Sequence, residues 1–337
     1  MTSLETPADT CARLRSILEA ALDPLVPRGA RTVLAGSGLS NAGDCVIAEA
    51  TRAWLAGRDA SPRLEVGRRT YRRRDVERAL GADGVLLLAG GGTIGDVWPS
   101  QEAFRVRLLT DLRERAIVQL PQTVRWRDPA SAGPSREAYG AAKKLTLLVR
   151  DRPSADAARD LLGVGATLVP DMAFLSPPPP PPPVVRDLLV LLRRDQEATG
   201  HVPPTGAVDW PDNDDRGRAR RRRRLVASLR WTLGVGAGRR AEIVRIEREL
   251  GAERVAAARA LVGSARVVVT DRLHAGIVAL LLGRPLVLLP DRYGKVADHH
   301  AAWTSSCAAI RLAPDVTSAR TMAAEWLAQR PARLPTP

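Results

Sequence analysis

The stretch TDRLHAGI (270–277) puts a carboxylate, a guanidinium and an imidazole into the four residues from Asp271 to His274. It closes the apolar run ARVVVT (265–270), which reads as a buried strand, and opens RLHAGIVALLLG (272–283), which reads as a helix. Ligands of α/β proteins gather where strands end and helices begin. Asp271 is placed to cap the helix by accepting a backbone N–H. Arg272 and His274 then occupy its first turn, beside unpaired N–H groups that attract phosphate or carboxylate. A forked guanidinium grips such oxyanions, and an imidazole within reach can pass a proton. A lone histidine at a helix start is also often an ordinary surface group, so spacing alone leaves both roles open.

Such a seam needs a sheet behind it, and the chain supplies the pattern. RTVLAG (31–36), VLLLAGGG (85–92), AIVQLP (116–121), LTLLVR (145–150) and ATLVP (166–170) read as strands, with helices over 41–57 and near 100–114. Continuous Val/Leu/Ile strands alternating with helices predict a parallel sheet covered on both faces. SPPPPPPP (176–183) can join neither sheet nor helix and reads as a stiff strut. Beyond it the pattern restarts. Strands are expected at 187–193, 207–210, 265–270 and 285–290, and helices near 216–234, 239–262, 272–283, 295–306 and 318–330. The predicted fold class is therefore α/β, with two Rossmann-like domains at 1–175 and 184–337 and a polyproline linker at 176–183.

Composition narrows the partners. The 51 lysines and arginines outnumber the 37 acids, for a net charge of +14 that favours anionic ligands or surfaces. Cys11, Cys45 and Cys307 are far apart, and of the four histidines only His299 and His300 are close, so no metal site is expected. Those two are expected on a helix surface. No apolar run is long enough to span a membrane and no signal pattern opens the chain, so a cytoplasmic protein is predicted. The segment DNDDRGRARRRRRLVASLRW (212–231) reads as an arginine-rich surface helix, or as a patch resting on an anionic membrane. Nucleic acid is disfavoured as a partner, because no recognised binding motif accompanies the arginines.

The stretch TDRLHAGIVALLLGRPLVLLPDRYGK (270–295) resembles the signature of the polysaccharide pyruvyl transferase family. SNAGD (40–44), GGGTIGDVWP (90–99), LPQTV (120–124), VRDRPS (149–154), PDMAF (170–174) and LLRRDQE (191–197) resemble further family segments in the same order. The resemblance covers about residues 31–306. It implies a GT-B-like arrangement, two Rossmann-like domains facing across a cleft. It implies transfer of a pyruvyl group from phosphoenolpyruvate to two hydroxyls of a sugar, leaving a ketal and releasing phosphate. Phosphoenolpyruvate is then a co-substrate, with no further cofactor.

By the same resemblance His274 matches the proposed general acid, and Arg193 and Arg272 match donor-holding arginines, with Arg194 an ambiguous neighbour of the first. Lys295 is a candidate for neutralising phosphate, with a structural role as its alternative. Asn41, Asp44, Asp96 and Trp98 are candidates for holding the acceptor saccharide. Helix capping is the alternative for Asn41 and Asp44, and core burial for Trp98. A lipid-linked acceptor at the inner face of the plasma membrane would suit the basic charge. The competing enzyme reading is a GT-B glycosyltransferase using a nucleotide sugar, for which no ribose-binding acid is evident.

Overall fold

In the computed structural model, the apolar runs of the first half become strands of one parallel sheet. The residues described are 4–36, 41–177, 180–195, 197–199, 203–211, 222–223, 225–226, 229 and 239–329. The strands are β1 (Thr32–Ala35), β2 (Leu64–Val66), β3 (Val85–Leu88), β4 (Gly91–Gly95), β5 (Ala116–Arg125), β6 (Lys144–Val149) and β7 (Thr167–Leu168). Their order is β2-β1-β3-β5-β6-β7, and β4 pairs with the far end of β5. The second half forms a four-stranded parallel sheet in the order β11-β10-β9-β8. These strands are β8 (Arg186–Leu191), β9 (Ala265–Thr270), β10 (Leu286–Leu288) and β11 (Ile310–Leu312). The chain is thus a mixed α/β protein with parallel sheets.

The helices between them are α1 (Pro7–Leu22), α2 (Ala42–Ala56), α3 (Arg73–Leu80), α4 (Pro99–Asp111), α5 (Gly133–Ala141) and α6 (Arg152–Ala157). The second half adds α7 (Arg239–Gly263), α8 (Leu273–Leu281), α9 (Lys295–His299) and α10 (Val316–Gln329). Strand residues alternate between faces, and the cores follow that parity. Val33, Leu86 and Ile117 enter one apolar cluster, while Leu34, Leu87 and Val118 enter another. The second cluster also takes in Leu189, Leu191 and Val268 of the other sheet. One core therefore spans both sheets, with α2 inside it. Cys45, Val46, Ile47, Ala50, Trp54 and Leu55 of that helix are buried, as expected of a helix apolar over most of its circumference. The outer face of the second sheet has its own cluster around Val267, Val269, Val287 and Leu289.

Several expectations need correction. The expected strand at 207–210 is a single bridge between Leu191 and Val208. Strands β2, β4 and β11 and the helices α1 and α3 were not foreseen. The helix after β9 is Leu273–Leu281, with Arg272 rather than Asp271 at its N-cap. The reason is local. Thr270 Oγ1 accepts the Arg272 N–H at 3.0 Å, so Asp271 reaches sideways and accepts the backbone N–H of Arg193 at 2.9 Å. His299 is not on a surface: α9 is packed inward, and the imidazole is 2% exposed and stacked on Phe174. Burial pulls its pKa down to about 3, so it is neutral. The expected helix near 216–234 and its arginine cluster lie largely outside the described residues. Among those described, no helix is long and apolar enough to cross a membrane.

Candidate active site

A cavity of about 440 Å³ opens where strands of both sheets end. Gly36 follows β1, Gly90 follows β3, Gly92 lies in β4, and Arg150 follows β6. Arg193 follows β8, Arg272 follows β9 and Asp291 follows β10, and all seven line it. Of the residues singled out from sequence, Asn41, Asp44, Trp98, Arg193, Arg272, His274 and Lys295 meet here. Asp96 does not. Its carboxylate accepts the backbone N–H groups of Arg127 and Asp128, each at 2.9 Å, and shapes the turn after β5. Arg194 also points elsewhere, donating to the Ala207 carbonyl.

His274 stands in the first turn of α8. Its Nε2 lies 3.4 Å from Asp171 Oδ2 and 3.4 Å from Arg150 Nη1. Arg150 Nη1 in turn donates to Asp171 Oδ2 at 2.6 Å, and its Nε to Thr123 Oγ1 at 2.9 Å. Asp171 is fully buried. Burial alone would raise its pKa, but His274, Arg150 and the Ala173 amide outweigh it and hold the carboxyl well below the usual range. A buried carboxylate shared by a guanidinium and an imidazole fixes where that ring sits. The other side of the ring rests on Gly43 at the start of α2, which has no β-carbon to obstruct it. Asn41 caps α2 by accepting the Asp44 N–H at 3.1 Å and donates its amide to Asp44 Oδ2 at 3.0 Å. The capping alternative for Asn41 is thus realised, at a position that also lines the cavity.

The cations of the second half each hold acids. Arg272 grips Asp209 through Nε at 2.5 Å and Nη2 at 2.7 Å, and reaches Asp195 at 3.2 Å. Arg193 holds Asp195 at 3.0 Å and Glu197 at 2.6 Å. Lys295 donates to Glu197 at 2.7 Å, and Trp98 Nε1 reaches the same carboxylate at 3.3 Å. Burial pulls the pKa of Lys295 below the usual lysine range. Burial also tends to raise Glu197, but Lys295 and Arg193 override it and keep the group ionised. Asp271 has no comparable compensation. Burial pushes it up to about 6 despite the Arg193 amide and the nearby guanidiniums.

Arg150, Asp171, Asp195, Glu197 and Asp209 were assigned no role from the sequence. The first four sit inside segments already singled out (VRDRPS, PDMAF and LLRRDQE), so their positions were visible although their pairing was not. Arg150 and Asp171 are brought together only because β6 and β7 are neighbours in the sheet.

The chain was compared with known protein families, sequences and structures. Residues 41–291 match the family described as polysaccharide pyruvyl transferase. The chain is 28% identical over 229 residues to Pyruvyl transferase 1 of Schizosaccharomyces pombe, covering 66% of this chain and 55% of that protein. It is 25% identical over 312 residues to EpsO of Bacillus subtilis, covering 89% of this chain and 93% of that one. In fold it is similar to the crystal structure of an uncharacterized protein from Klebsiella pneumoniae. There the TM-score is 0.59 and the identity 19%, over 89% of this chain and 98% of that one.

Proposed function

The chain belongs to the polysaccharide pyruvyl transferase family, and on that premise we propose that it moves the pyruvyl group of phosphoenolpyruvate onto two hydroxyls of a saccharide. The observation that carries this reading is the convergence of His274, Arg193, Arg272 and Lys295 on a cavity also lined by Asn41, Asp44 and Trp98. We take the two sheets as the halves of a GT-B-like arrangement, with the donor on the second sheet's side and the acceptor on the first's.

In this reading one acceptor hydroxyl adds to C2 of phosphoenolpyruvate while His274 delivers a proton to the methylene carbon. Asp44, a carboxylate of the first half that lines the cavity, takes the hydroxyl's proton. The resulting carbon bears a methyl, a carboxylate, the phosphate and the sugar oxygen. The second hydroxyl then displaces phosphate and loses its own proton, so the products are a cyclic ketal and inorganic phosphate. Forked guanidiniums suit the carboxylate and phosphate of the donor, and Arg272 can present Nη1 while Nε and Nη2 hold Asp209. Asp171 and Arg150 act through His274 by fixing its ring. Trp98 supplies an aromatic face for a pyranose.

We extend the proposal to a lipid-linked acceptor at an acidic membrane face. Exposed Arg68, Arg69, Arg72, Arg73 and Arg74 at the start of α3 supply a basic surface suited to acidic headgroups. The test is phosphate release from phosphoenolpyruvate with candidate lipid-linked saccharides, comparing the wild type with His274→Ala. A fall of about 10²–10⁴-fold is expected for loss of the acid. Equal rates would remove His274 from the chemistry.

A further inference from the structure

The charges that line the cavity are balanced. Among the described lining residues, Arg150, Arg193, Arg272 and Lys295 are matched by Asp44, Asp195, Glu197 and Asp291. Glu197 is the most buried of these four acids. Its Oε1 takes Lys295 Nζ at 2.7 Å and Trp98 Nε1 at 3.3 Å, and its Oε2 lies 2.6 Å from Arg193 Nη2. These donors come from three segments: the start of α9, the residue before α4 and the end of β8. Three charge-assisted or indole donors converging on one carboxylate is the arrangement that holds a substrate carboxylate or phosphate. The anion found in it belongs to the protein itself.

We propose that Glu197 is an internal stand-in for the anionic end of the substrate, displaced when substrate binds, and that this displacement sets the least charge a ligand must carry. The identity of that ligand as phosphoenolpyruvate rests on the function proposed above, whereas the stand-in role does not. A monoanion exchanged for the Glu197 carboxylate replaces one negative charge with another and gains little. A di- or trianion places more negative charge among Arg193, Arg272 and Lys295 than the glutamate does. The site therefore selects phosphorylated acids over simple ones. Glu197 can yield its place because it lies outside helix and strand, in the irregular stretch after β8. The Glu197 N–H donates to Asp195 Oδ1 and its carbonyl accepts the Arg292 N–H, which anchors its main chain while leaving the side chain to swing.

The same carboxylate reaches across to the acceptor side. Trp98 Nε1 is held by Glu197, so arrival of the donor releases the indole that the acceptor is to meet. Donor binding then precedes acceptor binding.

Calorimetric titration of the full chain with phosphoenolpyruvate, inorganic phosphate and pyruvate, wild type against Glu197→Gln, tests this. The wild type should bind phosphoenolpyruvate and reject pyruvate. The variant should bind phosphoenolpyruvate at least about tenfold more tightly, the order of one charge-assisted hydrogen bond, and should admit pyruvate. Phosphoenolpyruvate binding that is unchanged or weakened in Glu197→Gln would overturn the stand-in and leave the donor assignment intact. Tighter inorganic phosphate without any binding of phosphoenolpyruvate would do the reverse. Should Glu197→Gln fail to fold, Glu197→Asp keeps the charge but retracts it from Lys295. An affinity for phosphoenolpyruvate above that of wild type is expected there, and a lower one would sink the proposal.

Discussion

Gly43 and His274 are in such close contact that a β-carbon at residue 43 would lie 2.4 Å from the imidazole Nδ1 and 2.7 Å from Cγ. The first turn of α2, from one half of the chain, is thereby the seat for a ring carried by α8 in the other. Gly43→Ala should displace the ring and leave the remainder of the buried helix in place. Turnover measured by phosphate release should fall by about 10²-fold, the penalty for misplacing a reacting group by about an ångström. The melting temperature should move by only a few degrees (roughly 1 kcal/mol). Full activity in the variant would mean that the ring position is immaterial.

Asp171→Asn removes the charge that Arg150 and His274 share. Breaking a buried pair from one side costs about 3–5 kcal/mol, so urea unfolding at pH 7 should show a loss of that order. The sign with pH follows from the depressed carboxyl. Its stabilisation is fully present above the ordinary aspartate range near pH ~4 and is lost as pH falls toward the folded value. The gap between wild type and variant should narrow below pH ~4. A constant gap would contradict the ion pairing.

Asp271 behaves in the opposite sense. Burial raises it to about 6, so its ionisation disfavours the folded state. That penalty appears as pH rises through the unfolded value near ~4 and is complete above the folded one. Asp271→Asn can still accept the Arg193 amide through its side-chain oxygen. It should be more stable than wild type at pH 7.5, by about 1–3 kcal/mol, and equal to it at pH ~4. A variant less stable at pH 7.5 would show that the neighbouring guanidiniums need this charge.

Glu65 on β2 takes Arg52 of α2 at 2.8 Å and Arg248 of α7 at 2.7 Å, joining elements from both halves. Burial opposes its charge, but the two guanidiniums prevail and lower its pKa. Glu65→Ala should destabilise by on the order of 2 kcal/mol, less than a fully buried pair because Arg248 is half in water. The turnover number of folded enzyme should stay within about twofold, roughly 0.4 kcal/mol. A large fall in turnover with stability unchanged would assign Glu65 to the site.

The strands that carry the cavity were legible because β1, β3, β6 and β9 are rich in Val and Leu and hold three or more apolar residues each, a pattern with few other physical outcomes. TDRLH stood out because charged groups cut into such a run. Strand β4 was not legible: three of the five residues of GGTIG are glycines, which read as a turn, and its pairing with β5 joins it to the sheet. His299 was misread because a pair of histidines on a short helix says nothing about the Phe174 ring lying over it. Ion pairs were hidden for a different reason. Arg272 and Asp209 are 63 residues apart in the chain, and no local pattern reveals which carboxylate a guanidinium will find. The cations therefore looked unopposed, when each had an acid.

Helix α1 belongs in chain order to the first half, yet it is fastened to the second. Glu5 N–H donates to the Ser306 carbonyl at 2.8 Å, Ala308 N–H donates back to Glu5 at 2.9 Å, and Arg13 holds the Trp303 carbonyl at 2.9 Å. The polypeptide is laced like a belt whose tongue returns to its buckle. Cutting it in the proline run would not yield two self-sufficient pieces, since one fragment would carry away a helix whose berth is on the other.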